Sequence, residues 1–224
     1  MKPTYVNVNG KDRLASINLA RGIKVYGEKL VRKDEVEYRI WDPYRSKLAA
    51  MIINGLEEIP LENGSKVLYL GASTGTTCSH VSDLVGDRGI VFAVELSPRV
   101  AREFLERVAK YRKNVIPILQ DARNPEQYQA VFEKVDLVYC DIAQPDQTEI
   151  AISNCELFLK NNGYLILAVK ARSIDVSKEP KKIYKNEVRK LEEKGFEIIK
   201  VINLEPFDKD HVMILARFHQ ASSD

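Results

Sequence analysis

Continuous apolar runs cover residues 66–70, 90–95, 115–120, 136–141 and 163–170. Between them, apolar positions recur every three or four residues near 76–85, 98–110, 125–132, 147–160 and 180–194. A short continuous run reads as a strand buried on both faces, and the three-to-four spacing reads as a helix with one buried face. Strict alternation of the two predicts a parallel sheet covered by helices. Ser97-Pro98 supplies a cap followed by proline at the first helical position. The last two apolar runs, 196–204 and 212–218, are joined by a turn holding Pro206, Asp208 and Asp210. The expected α/β sheet is therefore mostly parallel, seven-stranded, and ends in a hairpin whose last strand is antiparallel.

The first forty residues follow a different period. Tyr5-Val6-Asn7-Val8, Ser16-Ile17-Asn18-Leu19 and Lys24-Val25-Tyr26 alternate apolar with polar, and glycines separate them. That pattern predicts short strands and hairpins, hence a small β-rich subdomain over 1–42 and a main domain over 43–224. Asp42-Pro43 marks the break, with Asp42 as a candidate cap. Residues 44–56 then take helical spacing, with Leu48, Met51, Ile52 and Leu56 on one face.

At 224 residues the chain suits one full domain with a small appendage. Residues 1–16 are polar, and no apolar run approaches the roughly 20 residues of a membrane span. Cys78, Cys140 and Cys155 form no C-x-x-C pair, which argues against zinc and for a reducing, cytoplasmic setting. Residues 1–47 hold eleven Lys/Arg against six Asp/Glu, while the remainder holds 23 against 26. A basic first third fits a polyanion or an acidic protein partner, or a solvated surface.

The chemistry gathers where the strands end. Lys66–Leu70 runs into Gly71-Ala72-Ser73-Thr74-Gly75, and the next strand ends on Glu95. Glycines let a backbone approach a nucleoside, and an acid at the tip of the next strand accepts from ribose hydroxyls. Neither pyrophosphate signature is present, so an adenosine cofactor without a pyrophosphate fits best, and S-adenosylmethionine is the common one. Ligands of such sheets lie beyond the carboxyl ends of the strands. Gly71, Glu95, Asp121, Asp141 and Lys170 all stand there, and His211 starts the antiparallel strand on the same edge. Partial burial disfavours the charged form of an amine, so Lys170 is expected to hold or accept a proton, with Asp141 orienting it. His211 would anchor the substrate or relay the proton. Gly71–Gly75 also matches G-x-S-x-G, and Ser73, Asp141 and His211 fall in hydrolase order. Against a serine hydrolase, the turn follows the first strand of the repeat and no oxyanion segment precedes it. The basic run from Arg172 through Lys178, Lys181, Lys182, Lys185, Arg189 and Lys190 could follow a phosphate backbone. Interspersed Glu179, Glu187, Glu192 and Glu193 make a solvated helix face the plainer reading.

Several segments together resemble the fibrillarin family. They are Gly71–Asp83, Glu95-Leu96-Ser97-Pro98-Arg99, Asp121-Ala122-Arg123, Asp141-Ile142-Ala143-Gln144-Pro145, Val169–Asp175 and Leu204–His211, in order. With 11 glycines in all and no Gly/Arg-rich tail, the chain resembles the archaeal form. The resemblance implies a Rossmann-like S-adenosylmethionine-dependent methyltransferase fold and 2'-O-methylation of ribosomal, or transfer, RNA. It implies work inside a C/D-box ribonucleoprotein, where a guide RNA selects the nucleotide of the target rRNA. A Nop-domain scaffold protein would hold the enzyme, and a kink-turn-binding protein would join through guide RNA and scaffold. By the same resemblance Gly71, Ala72, Thr76 and Thr77 would contact the cofactor, and Glu95 its ribose. Asp121 and Ala122 would face the adenine, and Asp141, Ile142, Ala143 and Gln144 the methionine side. A catalytic tetrad would fall on Lys47, Asp141, Lys170 and His211. Two further readings remain open here: a scaffold subunit without turnover, and methylation of a protein glutamine.

Overall fold

In the computed structural model, which describes residues 4–131 and 133–220, the strands form two sheets. The first holds β1 (Thr4–Val8), β2 (Lys11–Ile17), β3 (Leu30–Lys33) and β4 (Val36–Ile40), all antiparallel, in the order β1-β2-β4-β3. Two-residue turns at Asn9-Gly10 and Asp34-Glu35 close its hairpins with positive φ at both positions, which matches the twist of the flanking strands.

The second sheet holds β5 (Lys66–Leu70), β6 (Ile90–Glu95), β7 (Val115–Leu119), β8 (Val135–Cys140), β9 (Leu159–Lys170), β10 (Phe196–Asn203) and β11 (His211–Phe218). Its order is β10-β11-β9-β8-β5-β6-β7. The helices are α1 (Lys47–Ile53), α2 (Thr76–Val85), α3 (Pro98–Arg107), α4 (Gln147–Phe158), α5 (Ala171–Ile174) and α6 (Pro180–Glu193). Val67, Tyr69, Val91 and Ala93 enter one core, and Leu68, Leu70, Phe92 and Val94 the other. Burial on both faces is why these strands read as unbroken apolar runs. The hairpin folds back so that β11 enters between β9 and β10, antiparallel to both, and sets His211 opposite Lys170.

Local chemistry shifts several expected boundaries. Ser46, not Asp42, caps α1: its hydroxyl accepts from Ala49 N at 3.4 Å, while Asp42 accepts from Tyr44 N and shapes the preceding turn. The helix expected over 44–56 is accordingly shorter. The one expected over 98–110 ends at Arg107 and continues as a 3-10 turn over Ala109–Tyr111. The one expected over 125–132 is 3-10 over Pro125–Val131, and residue 132 lies outside the described residues. The helix expected over 147–160 yields at Leu159 to β9, which starts early and shifts register between Val135 and Leu137.

A buried polar network joins the small sheet to α2. Arg39 reaches Glu28 at 2.6 Å, Asp83 at 2.7 Å and Ser79 at 2.8 Å, and Arg112 meets the other oxygen of Asp83 at 3.0 Å. His80 stacks on Trp41 at 4.5 Å and bonds through its two nitrogens to Ser16 and Tyr26, each at 2.7 Å. Burial, then the charges of Arg39 and Arg112, hold the His80 ring well below the usual 6.5. The unfolded chain therefore takes up a proton at His80 before the folded one does. This residue's contribution makes stability fall as pH drops below about 6.5. Urea unfolding at pH 7 and pH 5 checks this, with His80→Gln expected to flatten the dependence.

Candidate active site

The turn after β5 is shaped by what it must clear. At Gly71 φ is +81°, and a Cβ there would lie 2.8 Å from the Asp141 carbonyl oxygen. Only glycine lets the ends of β5 and β8 come this close. Ser73 follows at φ +51°, and its amide donates to Glu95 at 2.9 Å. The other Glu95 oxygen accepts from Ser97 N, also at 2.9 Å. Two backbone amides thus fix this carboxylate at the tip of β6 and leave lone pairs for a ligand.

A cleft of about 290 Å³ opens beside it, lined by Gly71, Ser73, Glu95, Asp121, Ala122, Asp141, Ile142, Ala143, Gln144 and Lys170, with Val94, Leu96, Ser97, Gln120, Arg123 and Ile150. Larger hollows of about 550 and 700 Å³ lie elsewhere and hold none of the strand-end groups. Ala72, Thr76 and Thr77 do not line the cleft. Thr77 instead donates its hydroxyl to Ser46 at 2.9 Å, and Trp41 Nε1 donates to the same oxygen at 2.8 Å. One serine thereby ties the Gly-rich turn, the small sheet and α1 together.

At the cleft's wall the charged groups alternate in sign. Lys170 Nζ stands 2.8 Å from Asp141 Oδ1 and donates to the Asp141 carbonyl at 3.0 Å. Lys47 Nζ lies 3.3 Å and 3.4 Å from the two Asp141 oxygens. Beyond Lys47, Asp208 Oδ2 lies at 3.7 Å, and Asp208 Oδ1 is 3.0 Å from His211 Nδ1. Lys47, Asp141, Lys170 and His211 are thus gathered as one cluster, although Lys47 and His211 stand off the cleft lining. Residue-by-residue reading of the strand ends missed Lys47, which opens a helix ahead of the sheet. It also gave no role to Asp208, whose only signal is a spacing of three from His211. The amides of Ser73 and Ser97 carry no signal in a sequence.

The hydrolase reading fails on geometry. The chain has three histidines. His80 bonds to Ser16 and Tyr26, His211 to Asp208 and Lys209, and His219 to Glu197. None of them is hydrogen-bonded to Ser73, so a nucleophile there has no base.

Strand order, Gly-rich turn and strand-end acids define a methyltransferase of the Rossmann-like class. The fibrillarin family model matches residues 1–220. The chain belongs to the fibrillarin family. A fibrillarin-like rRNA/tRNA 2'-O-methyltransferase of Saccharolobus islandicus is 56% identical over 210 residues, covering 94% of this chain and 90% of that one. The structure of Aeropyrum pernix fibrillarin with natively bound S-adenosyl-L-methionine matches at TM-score 0.88 and 48% identity, over 95% of this chain and 92% of that one. A fibrillarin/Nop5p complex matches at TM-score 0.87 and 41% identity, over 98% and 99%.

Proposed function

We propose that this chain is the S-adenosylmethionine-dependent RNA 2'-O-methyltransferase of a C/D-box guide ribonucleoprotein acting on rRNA or tRNA. One observation carries the reading: Asp141, held between Lys47 and Lys170, forms part of the wall of a cleft that the amide-fixed Glu95 also lines. A scaffold without turnover would have no use for that cluster.

The cleft's donors and acceptors suit the cofactor. Glu95 would accept from the ribose hydroxyls, and Asp121 and Ala122 would flank the base. Asp141, Ile142, Ala143 and Gln144 would border the methionine end. Gly71 lets the Asp141 carbonyl close against the turn, and Ala72, Thr76 and Thr77 stand off the cleft lining. When bound, S-adenosylmethionine supplies an already activated methyl on its sulfonium. The chain's own task is to align the ribose 2'-hydroxyl and take its proton. The Lys170–Asp141 pair takes that proton, and Lys47 and His211 hold the ribose and offset charge developing on its oxygen.

The partners we assign are a Nop-domain scaffold, a C/D-box guide RNA with its target, and a kink-turn-binding protein reached through them. The match to a fibrillarin/Nop5p complex supports the first. We assign the chain to the cytoplasm: its three cysteines are free and buried, and no helix among the described residues is long and apolar enough to cross a membrane. We also divide it at residue 42, between the small sheet and α1, into 1–42 and 43–224.

The deciding experiment supplies labelled S-adenosylmethionine to the chain assembled with scaffold, kink-turn protein and guide. Label is expected on one guide-selected 2'-oxygen, and no transfer to paired RNA would refute the reading. In calorimetry on the isolated chain, Glu95→Ala should weaken cofactor binding roughly 10- to 100-fold, the worth of hydrogen bonds to a charged group. Unchanged affinity would remove Glu95 from the cofactor site. The isolated chain is expected to bind RNA weakly, since its formal net charge is only +2.

A further inference from the structure

Asp208 lies outside the four residues assigned above, yet it touches two of them. It sits on the turn between β10 and β11, where its amide donates to the Leu204 carbonyl at 3.1 Å. Its Oδ1 is 3.0 Å from His211 Nδ1, and its Oδ2 is 3.7 Å from Lys47 Nζ. The Lys209 carbonyl lies 2.6 Å from the same ring nitrogen. A carbonyl oxygen only accepts, so Nδ1 carries the hydrogen and Nε2 is the nitrogen left for a substrate.

Charge balance points the same way. Lys47 and, once it has taken the proton, Lys170 bring two positive charges, and Asp141 brings one negative charge. Asp208 is the second carboxylate, and without it Lys47 would lean on Asp141 alone. Its side chain is 33% exposed against 16% for Asp141, so it stands at the rim, and it does not line the cofactor cleft. The side chain of Asp210, two residues on, pairs instead with Arg172 at 3.0 Å.

We propose that Asp208 is a positioning residue of the methyl-transfer site: it fixes the His211 ring and shares Lys47 with Asp141, holding both for the ribose while leaving the cofactor cleft untouched. The proposal rests on the methyltransferase reading. It acts through its neighbours and does not itself meet the reacting atoms.

Two measurements test it. In the assembled particle, Asp208→Ala should lower kcat about 10- to 100-fold, the cost of a misplaced reacting group. KM for guide-paired RNA and the dissociation constant of S-adenosylmethionine should move less than about threefold, as for an interaction felt only in the transition state. Asp208→Glu, which restores the carboxylate, should recover most of the loss. In the full chain alone, nitrogen-15 NMR of the His211 ring reads positioning without turnover. A single sharp Nδ1–H pattern is expected for the wild type, a broadened one for Asp208→Ala, and a sharp one again for Asp208→Glu. An unchanged kcat, an unchanged ring pattern, or cofactor binding lost in step with kcat would each overturn the proposal. Were the wild-type particle itself to transfer no methyl, the functional reading would fall, and the ring spectra would still decide whether Asp208 positions His211.

Discussion

Asp141→Ala should reduce methyl transfer by the assembled particle by about a thousandfold or more, the range for removing a positioned proton-transfer group. The carboxylate is where both lysines converge, at 2.8 Å from Lys170 and 3.3 Å from Lys47. Without it the two lysines lose the acceptor they share, leaving Lys47 with Asp208 at 3.7 Å and Lys170 with the backbone carbonyl of residue 141. Lys170→Ala should cost a similar factor, because the pair acts as a unit, and the double variant should be little worse than either alone. Cofactor binding, held through Glu95, should weaken far less than turnover in both. Turnover within tenfold of the wild type in either variant would exclude the Lys170–Asp141 pair from the chemistry.

Asp83→Ala should be the most damaging single change to stability away from the site. Asp83 meets Arg39 at 2.7 Å and Arg112 at 3.0 Å, and all three side chains have zero exposure. Its removal takes the carboxylate from buried Arg112 and leaves buried Arg39 with Glu28 alone, and breaking a buried pair costs about 3–5 kcal/mol. At about 2–4 °C per kcal/mol for a chain of this size, Tm should fall by roughly 6–20 °C. A scanning calorimetry trace shifted by less than about 3 °C would mean the network relaxes around the loss. The small sheet should loosen first, since Ser16, Leu19 and Arg39 all reach α2 through this carboxylate.

The central parallel strands were legible because they are buried on both faces, so every residue of Leu68–Leu70 or Val91–Val94 is apolar. The strand-end acids were legible because a polar residue closing such a run stands out. Lys47 was accessible through family resemblance alone: it opens a seven-residue helix and follows no strand. The Ser16–His80–Tyr26 contacts and the Asp83 hub were not legible, since their partners stand dozens of residues apart and each looks like an ordinary surface polar group. Helix ends failed for a related reason. Ser46 caps α1 because its hydroxyl is also held by Trp41 and Thr77, contacts that exist only once the chain has folded.

The direction of β11 has a practical corollary. It enters the sheet at His211, beside Lys170, and leaves it at Phe218, beside the start of β10. Seven strand steps separate those residues, about 24 Å at the usual rise. A dye, an affinity handle or a link to a solid support attached beyond Phe218 would therefore emerge on the side away from the reacting edge. The particle could be immobilised by that end, with guide and target free to approach from the other.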